Sequence, residues 1–233
     1  MIFVRLVLIL FLFIAFSACS VNKSINKNVV IDTNYYNKIN YTNQKINKRV
    51  LSRTVVIDPG HGGSDLGAYS NVCEEKDLCL KTSLRLRHFL ELYGYNVIMT
   101  RTTDEYVSLK KRVVISNLSK GQIFVSIHFN SAHNHTANGV EVFYYPNADQ
   151  NRLHRSKQLA QLLMYKLIVY TGAKSRGIKK GNFCVIRETT IPSVLIEGGF
   201  ITNDVERKLI QNNSYIDKIA NAIAEGIHSY FNI

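Results

Sequence analysis

Four side chains carry chemistry that could act together: His61, Glu75, His128 and Glu197. His61 lies in a glycine turn, between Gly60 and Gly62-Gly63, directly after the apolar run Val55-Val56-Ile57 and the pair Asp58-Pro59. His128 closes a second such run, Phe124-Val125-Ser126-Ile127, and Glu197 closes a third, Ser193 to Ile196, ahead of Gly198-Gly199. Open α/β sheets place their chemistry at strand ends of this sort. Two imidazoles and one carboxylate form the ligand set of a catalytic zinc site, which keeps its fourth position for water. The remaining carboxylate can take a proton from that water and deliver it to a leaving amine. Residue types alone leave open which carboxylate does which. Taken singly, each residue also has a plainer reading. A strand-end His is more often a hydrogen-bonded structural group, and Glu74, Glu75 and Asp77 complement the positive end of a helix. The chain has no GxSxG, and the Gly60 turn lacks GxGxxG spacing, so neither a serine nucleophile nor a dinucleotide site is indicated.

To bring these groups together, the strands that carry them must run parallel and end at one rim of a sheet. Apolar runs and alternation predict strands at 55–57, 95–100, 122–127, 139–145, 183–187 and 193–196. Between them lie amphipathic helices. One places Leu78, Thr82, Leu86, Phe89, Leu90 and Tyr93 on a face and stops at Gly94; others cover about 108–118 and 153–170, the latter ended by Gly172. Asn203 or Asp204 caps a short helix, and Ser214 starts a last one with Ile216, Ile219, Ala220, Ile223, Ala224 and Ile227 in phase. The alternation is that of an α/β fold. His133 and His135, in an Asn-rich loop, are expected to face solvent.

The chain of 233 residues is long enough for one complete core plus extensions, and 46% hydrophobic with 20% charged residues is a globular composition. A formal charge of +12 and a pI near 9.5 predict attraction to an anionic partner. No zinc-finger, aromatic RNA-binding or recognition-helix signature accompanies it, so no nucleic acid partner is expected. An anionic wall polymer or a membrane surface fits instead. The cluster Lys174, Arg176, Lys179 and Lys180 reads on its own as a solvated face. At the N-terminus, Arg5 precedes an apolar run from Leu6 to Ala18, too short for an ordinary transmembrane helix and the right length for a signal-peptide core. Residues 1–18 are therefore expected to be an export signal. The ending Phe16-Ser17-Ala18-Cys19 resembles a bacterial lipoprotein signal, with Phe16 where Leu is usual; in that reading Cys19 is lipidated and becomes the new N-terminus. Residues 19–53, rich in Asn and Lys, read as a disordered tether, and 54–233 as the catalytic domain. Of the three remaining cysteines, Cys73 and Cys79 are spaced so that they can pair.

In order along the chain, VVIDPGHGGSDLGA, EEKDLCL, the Thr100-Arg101 strand end with Ser108-Leu109 and Arg112-Val113, SIHFNS, GVEVFYY, SRGIKKGNFCVIRET and PSVLIEGGFITN resemble the zinc-dependent N-acetylmuramoyl-L-alanine amidases of bacteria. The resemblance runs from about Val55 to the C-terminus. It implies a single twisted, mostly parallel or mixed sheet of about six strands flanked by helices on both faces. It implies one Zn2+ ion held by His61, Glu75 and His128, with Glu197 catalytic, and peptidoglycan as the substrate. Register with Lys76-Asp77 points to Glu75 rather than Glu74. Asp58 is expected as a partner of a ligand His, and Arg101 and Asn130 as substrate contacts, with a buried ion pair as the alternative for Arg101. Division-associated members carry a long helical insertion after the GVEVFYY-like strand; only Pro146 to Arg152 follows here, so no built-in inhibitory helix is expected. The whole reading is an exported, periplasmic, membrane-anchored lipoprotein acting as a monomer. A non-catalytic wall-binding lipoprotein and a zinc amidase or peptidase with another substrate are the alternatives.

Overall fold

The computed structural model describes residues 53–70, 72–146 and 149–233. The expected signal peptide at 1–18, the expected lipidation site Cys19 and the expected tether up to residue 52 lie outside the described residues. Arg53, assigned by sequence to the tether's end, bonds through Nη1 to the Phe231 carbonyl and lies 4.9 Å over that residue's ring.

The chain alternates strands and helices. In order these are β1 (Thr54–Pro59), the short pair β2 (Tyr69–Ser70) and β3 (Cys73–Glu74), α1 (Glu75–Leu92), β4 (Asn96–Met99), α2 (Leu109–Leu118), β5 (Ile123–Asn130) and β6 (Val140–Tyr144). There follow α3 (Gln150–Thr171), β7 (Ser175–Lys180), α4 (Cys184–Arg187), β8 (Ser193–Phe200), α5 (Asp204–Gln211) and α6 (Asn213–Phe231). Six strands form one sheet in the order β4-β1-β5-β8-β6-β7. β4, β1, β5 and β8 run parallel, β6 is antiparallel to β8, and β7 is parallel to β6. This is the mixed α/β sheet expected, and it brings the ends of β1, β5 and β8 to one rim.

The two faces of the sheet are unequal. Val55, Ile57, Val125, Ile127, Val142 and Ile196 point to a face covered by α1, α3 and α6, which together bury the main core. Burying each such aliphatic side chain contributes about 1.5–3 kcal/mol. The last helix supplies the predicted stripe: Ile216, Ile219, Ala220, Ile223, Ala224 and Ile227 are all buried. Gly226 lets it approach α3, since a Cβ there would sit 2.9 Å from Leu163 Cδ2. The opposite face has a smaller cluster, Val56, Phe124, Leu195, Val185 and Ile186, under α4, with α2 packed beside it. Towards the strand ends this second face carries Asp58, Ser126, His128, Glu197 and Glu141, which follow by alternation.

Helix boundaries follow their caps. The Asp149 side chain accepts from Asn151 N and Arg152 N and starts α3 three residues before Leu153; Gly172, with φ +68°, ends it. Asn203 caps α5 and Asn212 caps α6, each with its side-chain oxygen on backbone N–H groups. Two sequence expectations are corrected. Phe183–Arg187 is not a strand: Cys184–Arg187 is a single helical turn whose Val185 and Ile186 are buried on the second face. A short apolar run cannot be told from a buried helical turn by periodicity alone. Ser175–Lys180 is instead the strand, at the sheet edge, where cations are tolerated and no apolar alternation is required.

Candidate metal centre

His61 has φ +55°, the sole non-glycine residue in the left-handed region among the described residues. Such a conformation costs about 1–3 kcal/mol and persists where surrounding structure over-determines it. Here two guanidinium groups do so. Arg112 donates through Nη2 to His61 O at 2.6 Å, through Nη1 to Pro59 O, and through Nε to Val107 O at 2.8 Å. Arg101 donates through Nη2 to Gly60 O at 2.7 Å and Lys76 O at 2.8 Å, and through Nε to Pro59 O at 3.2 Å. Three successive carbonyls, 59 to 61, are thereby fixed. Lys76 adds a tie, donating to Gly63 O at 3.1 Å and pairing with Asp104 at 2.9 Å.

These contacts correct two expectations. Arg101 is 2% exposed, spends its guanidinium on backbone carbonyls and forms no ion pair among the described residues. Asp58 reaches no imidazole. It stands in register with Ser126, two residues short of His128 along β5, and accepts from Ser126 Oγ at 2.7 Å, Thr100 Oγ1 at 2.6 Å and Arg112 Nη1 at 2.8 Å.

Glycines make room for the rings. A Cβ on Gly60 would lie 2.3 Å from His128 Cε1, and one on Gly67, itself at φ +66°, 2.6 Å from both His61 Cδ2 and Glu75 Oε2. The imidazoles meet edge to face, with centroids 4.8 Å apart and planes at 80°. Between them comes Glu75, the first residue of α1, while Glu74 turns outward to Lys76. Glu75 Oε1 lies 2.8 Å from His128 Nδ1 and 3.1 Å from His61 Nε2, and accepts from Phe129 N at 3.1 Å; Oε2 accepts from Ala68 N at 2.8 Å. Burial raises the proton affinity of this carboxyl, but the hydrogen bonds and charge of His128 and His61 outweigh it and hold Glu75 well below the usual carboxylate range. Burial pulls the His61 pKa down, while Glu75 and Asp65 raise it by more, so the net shift is upward. His61 Nδ1 is 3.0 Å from Asp65 Oδ2 but out of line for a hydrogen bond. One donor atom from each of His61, Glu75 and His128 lies within 4.8 Å of the others, an arrangement that can hold a metal ion. Two imidazole nitrogens and a carboxylate oxygen suit zinc.

Glu197 stands in register with His128 on one side and Glu141 on the other. Its Oε2 is enclosed and has no hydrogen-bond partner. Burial, then the charges of Glu75 and Glu141, push its carboxyl well above the usual range. Such a group is suited to carry a proton. Asn130 lies at the end of β5, past an irregularity in its register with β8; it donates through Nδ2 to Glu141 Oε2 at 3.2 Å. Cys73 and Cys79 are both free thiols, so the pairing that spacing permits is not made; Cys79 is buried beneath Glu75, its Sγ 3.9 Å from Oε1. His133 and His135 are exposed, as expected.

A cavity of about 150 Å³ opens beside His61 and His128, walled by Tyr106, Val107, Leu109, Phe183 and Leu195. A larger cleft of about 730 Å³ lies at the opposite end of the strands, near Gln122 and Pro192, far from these imidazoles. The two imidazoles of the cluster line the smaller one. Sequence reasoning did not find Glu141, although a lone acid among the apolar residues of GVEVFYY, out of phase with Val140 and Val142, was a usable signal.

Residues 55–229 match the family described as N-acetylmuramoyl-L-alanine amidase. A probable cell wall amidase LytH of Staphylococcus saprophyticus is 36% identical over 187 residues, which cover 79% of this chain and 60% of the relative. The chain thus spans about three fifths of that relative's length. Among solved structures, the catalytic domain of CwlV from Bacillus (Paenibacillus) polymyxa var. colistinus aligns at a TM-score of 0.72 and 36% identity, covering 78% of this chain and 99% of that one. An N-acetylmuramoyl-L-alanine amidase from Clostridium difficile 630 aligns at 0.73 and 39%, covering 78% and 97%.

Proposed function

This chain belongs to the N-acetylmuramoyl-L-alanine amidase family, and from that premise we propose that it hydrolyses the amide between the lactyl group of N-acetylmuramic acid and the L-alanine of a peptidoglycan stem peptide. The observation that carries this reading is the convergence of His61, Glu75 and His128 beside a strand partner, Glu197, whose buried Oε2 has no hydrogen bond.

In this reading His61, Glu75 and His128 hold one zinc ion. When bound, zinc supplies Lewis acidity, acidifying water and polarising the amide carbonyl. Arg112 and Arg101 hold the His61 loop in its strained conformation, and Phe129 N and Ala68 N orient the Glu75 carboxylate. Glu197 accepts a proton from the attacking water on its carboxylate. The water oxygen bonds to the lactyl carbonyl carbon, the carbon–nitrogen bond breaks, and Glu197 returns the proton to the departing nitrogen of L-alanine. The products are a lactyl carboxylate and a peptide with a free amino terminus.

The role is wall remodelling or cell separation by an exported, periplasmic protein anchored through a lipid on Cys19 and active as a monomer. The apolar run 6–18, the net charge of +12 and the cell-wall name of the staphylococcal relative support it. Mass spectrometry of purified peptidoglycan after incubation with the zinc-loaded chain tests it. Stem peptides beginning with L-alanine are expected, and none with chelator or with Glu197→Gln. Release of peptides with a different amino terminus would assign another substrate. Sedimentation with wall material and no released peptide would leave a wall-binding lipoprotein.

A further inference from the structure

The basic segment around β7 does something that simple alternation forbids. Arg176 and Lys179 are three residues apart and would point to opposite faces of a regular strand. Both instead reach Glu141 Oε1, Arg176 through Nε and Lys179 through Nζ at 2.7 Å. The cause is a bulge. Val140 pairs with Ser175 but Val142 with Ile178, so β7 spends one residue more than β6 over this interval, and Gly177 takes φ +85°. Bulges of this kind re-aim side chains and recur beside functional sites.

One cation would neutralise Glu141, which is 3% exposed. Two leave the cluster with a net charge of +1, and the surplus faces outward: the Lys179 and Arg176 side chains are 40% and 32% exposed. No acceptor among the described residues meets the terminal nitrogens of Arg176, whose guanidinium lies 4.9 Å over the Phe200 ring. Asn130 donates to the other oxygen of Glu141, so both oxygens of that carboxylate are hydrogen-bonded and its charge is already counted in the net +1. Glu141 stands next to Glu197 in register, and Glu197 next to His128. Neighbouring strands are about 4.8 Å apart, which puts the cationic cluster roughly 10 Å from His128 along that row. Extended chain covers roughly 3.4 Å per residue, so that distance is two to three residues of peptide.

We propose that Arg176 and Lys179 bind a free carboxylate of the stem peptide, on the leaving side of the scissile amide and about two residues beyond it. The proposal rests on the amidase reading of the site. It orients the substrate: the peptide runs from the imidazoles across β8 and β6 to the sheet edge, and the muramic acid lies on the other side, by Tyr106 and Phe183.

The test uses two muramyl peptides that differ only in whether the second residue carries a carboxylate or a carboxamide. With the zinc-loaded chain, kcat/KM is expected to favour the acid by about ten-fold, carried by KM, as for one charge-assisted hydrogen bond. Lys179→Met, which leaves Arg176 on Glu141, is expected to move that ratio towards one, and Lys179→Arg to keep it. A wild-type ratio of one, or an equal loss on both peptides in Lys179→Met, overturns the proposal. Calorimetric binding of the corresponding dipeptide acid and amide reads the contact without turnover. If neither muramyl peptide is cleaved yet the acid binds about ten-fold tighter and Lys179→Met abolishes that preference, the amidase reading falls and the carboxylate site stands. Equal binding of the two dipeptides overturns the site.

Discussion

Glu75 Oε1 lies 2.8 Å from Nδ1 of His128, close enough that the carboxylate at the start of α1 and the imidazole near the end of β5 share one proton or one cation. His61 Nε2, at 3.1 Å from the same oxygen, completes the group. His128→Ala and Glu75→Ala each remove a donor from it. Metal analysis of the purified variants is expected to show loss of stoichiometric zinc. Amide hydrolysis should fall by at least ~100-fold, since even disturbing the outer partners of a ligand typically costs about 10–100-fold.

Glu197→Gln separates metal holding from proton transfer. The variant is expected to keep its zinc and lose rate by about 100-fold or more, the range for removing a general base. Parallel zinc content and product formation check it. A variant that kept full rate would remove Glu197 from the chemistry.

Gly60→Ala adds only a methyl group, yet that carbon would lie 2.3 Å from the His128 ring. The imidazole must move. Weaker zinc retention in a folded protein is expected, read by competition with a chelator alongside circular dichroism. Gly67→Ala meets two walls, His61 and Glu75, and also places a side chain at φ +66°; a stability loss of about 1 kcal/mol or more should accompany its loss of zinc.

Arg112→Met strands the Asp58 carboxylate, which is 1% exposed, and releases the carbonyls of Pro59 and His61. Breaking a buried pair from one side costs about 3–5 kcal/mol. Urea denaturation is expected to show a loss of that order, with Asp58→Asn in the same chain recovering part of it.

Glu141 gives the pH dependence a sign. Burial raises its proton affinity, but hydrogen bonds from Arg176 and Lys179 more than reverse that, so its pKa is lower folded than the ordinary 4.5. A depressed folded pKa stabilises the protein above the unfolded value and ceases to do so as pH falls through the folded one. Glu141→Gln should therefore be less stable than the native chain at pH 6. The difference is expected to shrink below about pH 4.5, as thermal melts across pH 3–7 would record.

The fold was legible because the strands that carry the site open on apolar runs and the long helices α1, α3 and α6 have phased apolar faces. His61, His128 and Glu197 were visible as polar interruptions at the ends of such runs, whereas Glu75 was distinguished from Glu74 only through the family resemblance, by register with Lys76-Asp77. What sequence hid was set by contacts between distant segments. Asp58 is expected beside a ligand His and Arg101 at substrate or in an ion pair, but their partners come from β5, α2 and the backbone of the His61 turn, which spacing does not reveal. The strand character of Ser175–Lys180 was hidden because an edge strand with a bulge has neither apolar alternation nor a regular period.

The left-handed backbone at His61 is held by guanidinium groups on main-chain carbonyls, and none of those bonds involves the imidazole. The loop is therefore expected to keep its shape without metal. A chain that reaches its final conformation without waiting for an ion can be released in a place where zinc is scarce, survive there as an intact protein, and become active when the ion arrives. The chelated protein should accordingly keep its native circular dichroism while turning over nothing.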